Sequence, residues 1–158
     1  MEKKTRGIFF TLLGALMGVA ATLKAVGKII LKKQNMSDKH LALYLMMNQW
    51  VKVKQEGKSL KTYFEKYGYK KIAIYGMSYA GETLCRELKD SDVEIAYGID
   101  QNAEWMSRDI EMKRPQDDLT DVDAIIVTVV YYFDEIEKNL KQKVNCPILS
   151  LGDIVYEV

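Results

Sequence analysis

"YGMSYAGETLCREL", Tyr75 to Leu88, decides how the rest of the chain is read. Gly76 and Gly81 stand where a G-x-G-x-x-G fingerprint has its first and third glycines, and Ser78 stands where it has its second. In that fingerprint the first glycine makes the tight turn after a strand. The second lets backbone approach a pyrophosphate, and the third lets the following helix pack closely on the sheet. Gly76 and Gly81 therefore serve the fold with or without a ligand. Ser78 takes the position concerned mainly with ligand contact, where its hydroxyl and the amides of a helix N-terminus can still donate to an anion. The expected contact set is Gly76, Met77, Ser78, Tyr79, Ala80 and Gly81.

The flanking sequence fits a sheet covered by helices. "KIAIYG" (Lys71 to Gly76) is an apolar run, read as the first strand. The helix after it repeats Gly81, Leu84, Cys85 and Leu88 at i, i+3, i+4 and i+7, the spacing of a face laid on a sheet. "VEIAYGID" (Val93 to Asp100) is the second strand. It ends on Asp100, whose carboxylate would accept from ribose hydroxyls. "DIEMKRP" (Asp109 to Pro115) reads as a short polar edge strand. "AIIVTVV" (Ala124 to Val130) is apolar almost throughout, as a parallel strand covered on both faces is. Phe133, Ile136 and Leu140 give the next helix its buried side. "PILSL" (Pro147 to Leu151) is a last strand, followed by a turn or helix over "GDIVYEV".

Strands alternating with helices predict an α/β fold: a five-stranded, parallel, doubly wound sheet in the order 3-2-1-4-5. A ligand would sit beyond the strands' C-terminal ends, between the first and the fourth. Tyr131 follows the fourth strand there and joins the candidate contact set, with Tyr132 beside it. No catalytic residue is assigned. His40 is the only histidine and lies far in sequence from any strand end, so no Cys–His or Ser–His arrangement can be assembled. No metal cluster is legible. Cys85 and Cys146 form no disulfide framework and read as small buried residues.

The net charge of +1 hides two unlike halves. Residues 1–70 hold 14 Lys/Arg against 4 Asp/Glu, a net of +10, and residues 71–158 hold 9 against 18, a net of −9. The acidic half disfavours nucleic acid as a partner, because phosphate backbones need a basic footprint.

Gly7 to Leu23, "GIFFTLLGALMGVAATL", carries no charge for 17 residues. As a helix it spans about 26 Å, at the short end of what crosses a bilayer. Three readings are open: a single spanning anchor, a helix lying in the interface or packed on a partner, and a cleaved signal peptide. Lys24, Lys28 and Lys32 follow on one face, positioned for their long stems to snorkel to headgroups. More Lys/Arg lies after the run than before it, so an anchor would leave the C-terminal domain in the cytoplasm. Gly14 and Gly18 make a G-x-x-x-G spacing that permits close helix–helix approach. Ser37 reads as the N-cap of "DKHLALYLMMNQWVKVKQE", stopped by Gly57, and Ser59 as the cap of "LKTYFEKY", closed by Gly68. The expected parts are thus a hydrophobic helix over 1–36, connecting helices over 37–70 and the α/β domain over 71–158.

"YGYKKIAIYGMSYAGETLCRELKDSDVEIAYGIDQNA", followed by "DVDAIIVTVVYYFDEI", resembles small Rossmann-like domains of bacterial surface-polysaccharide gene clusters. It is also similar to the nucleotide-binding domain of sugar acyltransferases. The resemblance covers Leu60 to about Val155, and Ser78 departs from the family's Y-G-x-G-x-x-G. It implies a role in envelope or capsule glycan assembly, while the Gly7–Leu23 run, read as the anchor, would make the protein single-pass in the bacterial cell membrane. With no catalytic constellation to assemble, the expected protein is a membrane-tethered, non-catalytic accessory module that binds a nucleotide or nucleotide-sugar or holds a glycan-assembly enzyme. Two alternatives stand beside it. One is an NAD(P)-dependent enzyme whose substrate site another chain completes. The other is a scaffold with an empty cleft.

Overall fold

The computed structural model describes residues 2–103 and 110–158, with side chains from Val26 on except at positions 27 and 30. It divides into two compact units, Met1–Leu41 and Ala42–Val158. The chain order is α1 (Glu2–Gln55), α2 (Lys61–Tyr67), β1 (Lys71–Tyr75), α3 (Tyr79–Leu88), β2 (Glu94–Ile99), β3 (Glu111–Lys113), β4 (Ala124–Val127), α4 (Phe133–Leu140), β5 (Ile148–Ser150) and α5 (Leu151–Glu157). A 3₁₀ turn, Val130–Tyr132, joins β4 to α4. The five strands form one sheet in the order β3-β2-β1-β4-β5, and every pairing is parallel. This is the doubly wound, Rossmann-like arrangement expected from the sequence.

Period-two alternation divides the central strands between the two faces. Ile72, Ile74, Ala124 and Ile126 join one buried cluster, and Ala73, Ile125 and Val127 the other. All seven are fully buried, which explains why β1 and β4 read as unbroken apolar runs. On the first face lie Leu84 and Leu88 of α3, Leu151, Ile154 and Val155 of α5, and Phe64 of α2. Met46, Trp50 and Val53 of α1 complete that layer at 2–3% exposure. On the second face lie Leu140 of α4 with Tyr97, Leu119, Val144 and Ile148.

The residues before β1 are therefore part of the second unit's core from Ala42 on. Glu87 of α3 helps hold them there. Its Oε1 accepts from Lys54 Nζ (2.9 Å), Ser59 Oγ (2.9 Å) and the Leu60 N–H (3.2 Å), and its side chain is 9% exposed. Gly57 and Gly68 stop their helices as expected. At Gly68 the backbone is left-handed (φ 73°), its N–H donates to Glu65 O, and Tyr69 N–H donates to Phe64 O, the paired bonds of a Schellman end.

Three local expectations change. Ser37 caps nothing, because α1 runs unbroken from Glu2 through Gln55. No Gly or Pro interrupts the chain between Gly27 and Gly57, and a serine costs a helix interior little. The fourth strand stops at Val127 rather than Val130, where the 3₁₀ turn begins. The edge strand is confined to Glu111–Lys113, and Asp109 lies outside the described residues. Among the described residues no helix is long and apolar enough to cross a membrane. The side chains of the Gly7–Leu23 run, with Gly14 and Gly18, lie outside them.

Candidate functional site

The β1–α3 turn sits where the parallel sheet changes direction. Tyr75 at the end of β1 pairs in register with Ile99 of β2 on one side and Val127 of β4 on the other. Gly76 follows with φ +93°, a conformation that L side chains rarely adopt. A Cβ there would fall 2.4 Å from Val129 Cγ2 and 2.7 Å from Thr128 Oγ1. At Gly81 a Cβ would fall 2.4 Å from the Gly76 carbonyl oxygen. The first and third glycines are thus required by backbone conformation and by close packing.

Two successive peptide units at this turn, Tyr75–Gly76 and Gly76–Met77, are held from both sides. The Gly76 N–H donates to Ile99 O (2.8 Å). The Gly76 carbonyl accepts from Thr128 Oγ1 (2.6 Å), and the N–H of the same peptide, on Met77, donates to Asp100 Oδ2 (3.1 Å). Thr128 adds its own N–H to Tyr75 O (2.9 Å). The residues just past β2 and β4, which flank β1, therefore both grip the Gly76–Met77 peptide. Thr128 is 3% exposed and was not singled out by sequence reasoning. Its signal was a lone hydroxyl inside the apolar run "AIIVTVV".

The predicted residues separate by role. Met77 is 1% exposed and Ala80 3%, so their side chains belong to the core, and the Met77 N–H is already engaged by Asp100. Ser78 is exposed and extended (φ −86°, ψ −157°), its carbonyl accepts from Glu82 N–H (2.9 Å), and its hydroxyl makes no capping bond. Glu82 N–H is the first donor of α3 to reach a carbonyl four residues back. The amides of Tyr79, Ala80 and Gly81 precede it and have no intrahelical acceptor, as at any helix start. Tyr79 is 83% exposed beside them. Tyr131 stands on the 3₁₀ turn after β4, its ring packed edge-on to Tyr132 at 5.3 Å between centroids.

Asp100 does more than the sequence assigned to it. Besides the Met77 amide it accepts from Asn102 N–H through Oδ1 (3.0 Å). A carboxylate offers about four lone-pair sites, so among the described residues' bonds one is left on each oxygen for a diol. The rim is acidic. Burial first, and then the charges of Asp100 and Glu135, push the Tyr75 phenol above its usual range, against a hydrogen bond with the Gln101 side chain. Tyr75 therefore stays protonated at neutral pH. Burial likewise pushes the Cys146 thiol up, which keeps it from acting as a thiolate nucleophile. Among the described residues no group of three or more His, Cys, Asp or Glu is placed to hold a metal ion.

The arrangement can hold an anion against fixed backbone donors and accept hydroxyl donors at Asp100. No protein-family model, curated protein or solved structure matches the chain.

Proposed function

We propose that this protein is a membrane-tethered, Rossmann-like accessory module of surface-glycan assembly, whose cleft binds a nucleotide or nucleotide-sugar. The observation that carries the reading is the gripped Gly76–Met77 peptide, with Thr128 on its carbonyl and Asp100 on its N–H. A rigid turn keeps the amides after Ser78 aimed at one place, and preorganised donors lose little freedom on binding. The diphosphate would lie at Ser78, Tyr79 and Ala80, the ribose at Asp100, and Tyr131 would line the cleft. The module has no catalytic activity of its own and serves a glycan-assembly enzyme. Gly7–Leu23 holds it to the bacterial cell membrane, with the α/β domain in the cytoplasm.

A second reading, the scaffold with an empty cleft, draws on the same Asp100 contact. A carboxylate on the Met77 amide already occupies one donor and repels phosphate. A thermal-shift panel of NAD⁺, NADP⁺ and UDP-sugars on the full chain separates the two. The proposal expects at least one ligand at saturating concentration to raise the melting temperature. Unchanged melting with all of them favours the scaffold.

A further inference from the structure

We propose that residues 26–40 of α1 form a face that lies on an anionic lipid surface. The inference rests on the reading of the protein as membrane-tethered and adds a second, electrostatic attachment to it. At 3.6 residues per turn, Val26, Ile29, Lys32, Lys33, Met36 and His40 fall on one side of the helix. All six are exposed, with Val26 at 45%, Ile29 at 57% and Met36 at 49%. Lys28, also exposed, borders that side one turn before Lys32. The only acidic residue between Gly7 and Gln55 is Asp38, which lies about 200° around from Met36, on the far side.

Apolar and cationic side chains sharing one exposed face fit a boundary between hydrocarbon and charged headgroups. The lysines recur too often for the segment to enter the bilayer interior. The apolar residues have nothing to gain from a purely aqueous polyanion. An anionic leaflet satisfies both groups, because short apolar side chains reach the acyl boundary while lysine stems carry their charge to the phosphates. The uncharged Gly7–Leu23 run lies immediately N-terminal, so the face is juxtamembrane in sequence. The acidic unit of a second copy is the competing occupant, since Ala42–Val158 holds 15 Lys/Arg against 20 Asp/Glu.

The test is vesicle flotation of the full chain, delivered from dilute detergent, with phosphatidylcholine alone or mixed with phosphatidylglycerol. Wild type is expected to partition into the anionic vesicles more strongly than into neutral ones, by roughly a hundredfold at low salt for three lysines near the surface. The excess should shrink in 0.5 M salt (an ionic strength of about three times physiological). It should vanish in the triple variant Lys28→Glu/Lys32→Glu/Lys33→Glu and persist in the matching triple Arg variant, with circular dichroism confirming that both fold. Equal partition into both vesicles overturns the inference and leaves the apolar tether standing. No flotation with either vesicle overturns both. A vesicle-free dimer that the Glu variant dissociates, with flotation unchanged, assigns the face to a second copy and overturns the inference.

Discussion

The two faces of the sheet are covered differently. One carries a deep layer in which α3 and α5 lie on the strands, and α1, α2 and the turn between them add Met46, Trp50, Val53, Leu60 and Phe64. Among the described residues the other is closed by α4 and by side chains such as Leu119 and Val144. The helical residues before β1 are thus structural material for the α/β core. They cover α3, the helix that carries the candidate anion site at its N-terminus, so the deep face steadies the site from behind.

Substitutions on the two faces can break this contrast. Trp50→Ala should cost about 3–5 kcal/mol of unfolding free energy, the range for a large buried aromatic. A linker role for Ala42–Gln55 predicts a loss of no more than about 0.5 kcal/mol, as at surface positions. Leu140→Ala, on the thinner face, should cost about 2–4 kcal/mol. Denaturant melts of both variants decide the matter, and a Trp50→Ala loss within the linker range would remove the contrast. At the junction of turn and helix, Gly81→Val should cost about 3 kcal/mol, because the new Cβ meets backbone rather than a movable side chain. Melting close to wild type would mean that α3 can shift off the turn freely.

Smaller effects sharpen the account of the turn itself. Thr128→Val keeps the shape of the side chain but leaves the buried Gly76 carbonyl without its donor, at about 1–3 kcal/mol. Thr128→Ser should recover most of the loss. If Val and Ser behave alike, the hydroxyl does not hold the peptide.

The smallest effect is at the opposite end of β1, where Asp123 accepts from the N–H groups of Lys70 and Lys71 at 2.8 Å each. Those bonds hold its carboxyl below the ordinary value of 3.8. A lowered folded value stabilises above the unfolded pKa and is lost as pH falls through the folded one. The advantage of wild type over Asp123→Asn should therefore be full at pH 7 and fade as pH drops below about 3.8. An advantage that grows on acidification would contradict the assigned bonds.

The fold was legible because its signals are local. Apolar runs at Ile72–Ile74 and Ala124–Val127, glycines at 76 and 81, and helix stops at 57 and 68 each carry their own physical reason. What stayed hidden depended on tertiary contacts. Ser37 has the chemistry of a cap, yet nothing in the sequence breaks the helix running through it. Thr128 looked like one more residue of a strand until Gly76 came within reach. Asp100 was legible as an acceptor, but its bond to the Met77 amide required β1 and β2 to be set side by side.

Calorimetric titration of wild type, Ser78→Gly and Ser78→Glu with NAD⁺, ADP and a UDP-sugar tests the central claim, that the gripped turn presents its amides to a nucleotide diphosphate. Wild type should bind at least one of them. Ser78→Gly should bind as tightly or more tightly, and Ser78→Glu not at all, because its carboxylate would be forced against phosphate. All three should give the same circular dichroism spectrum, since the glycines that shape the turn remain. No heat from wild type and none from Ser78→Gly, with both folded, would contradict the claim and leave the turn a feature of the fold alone.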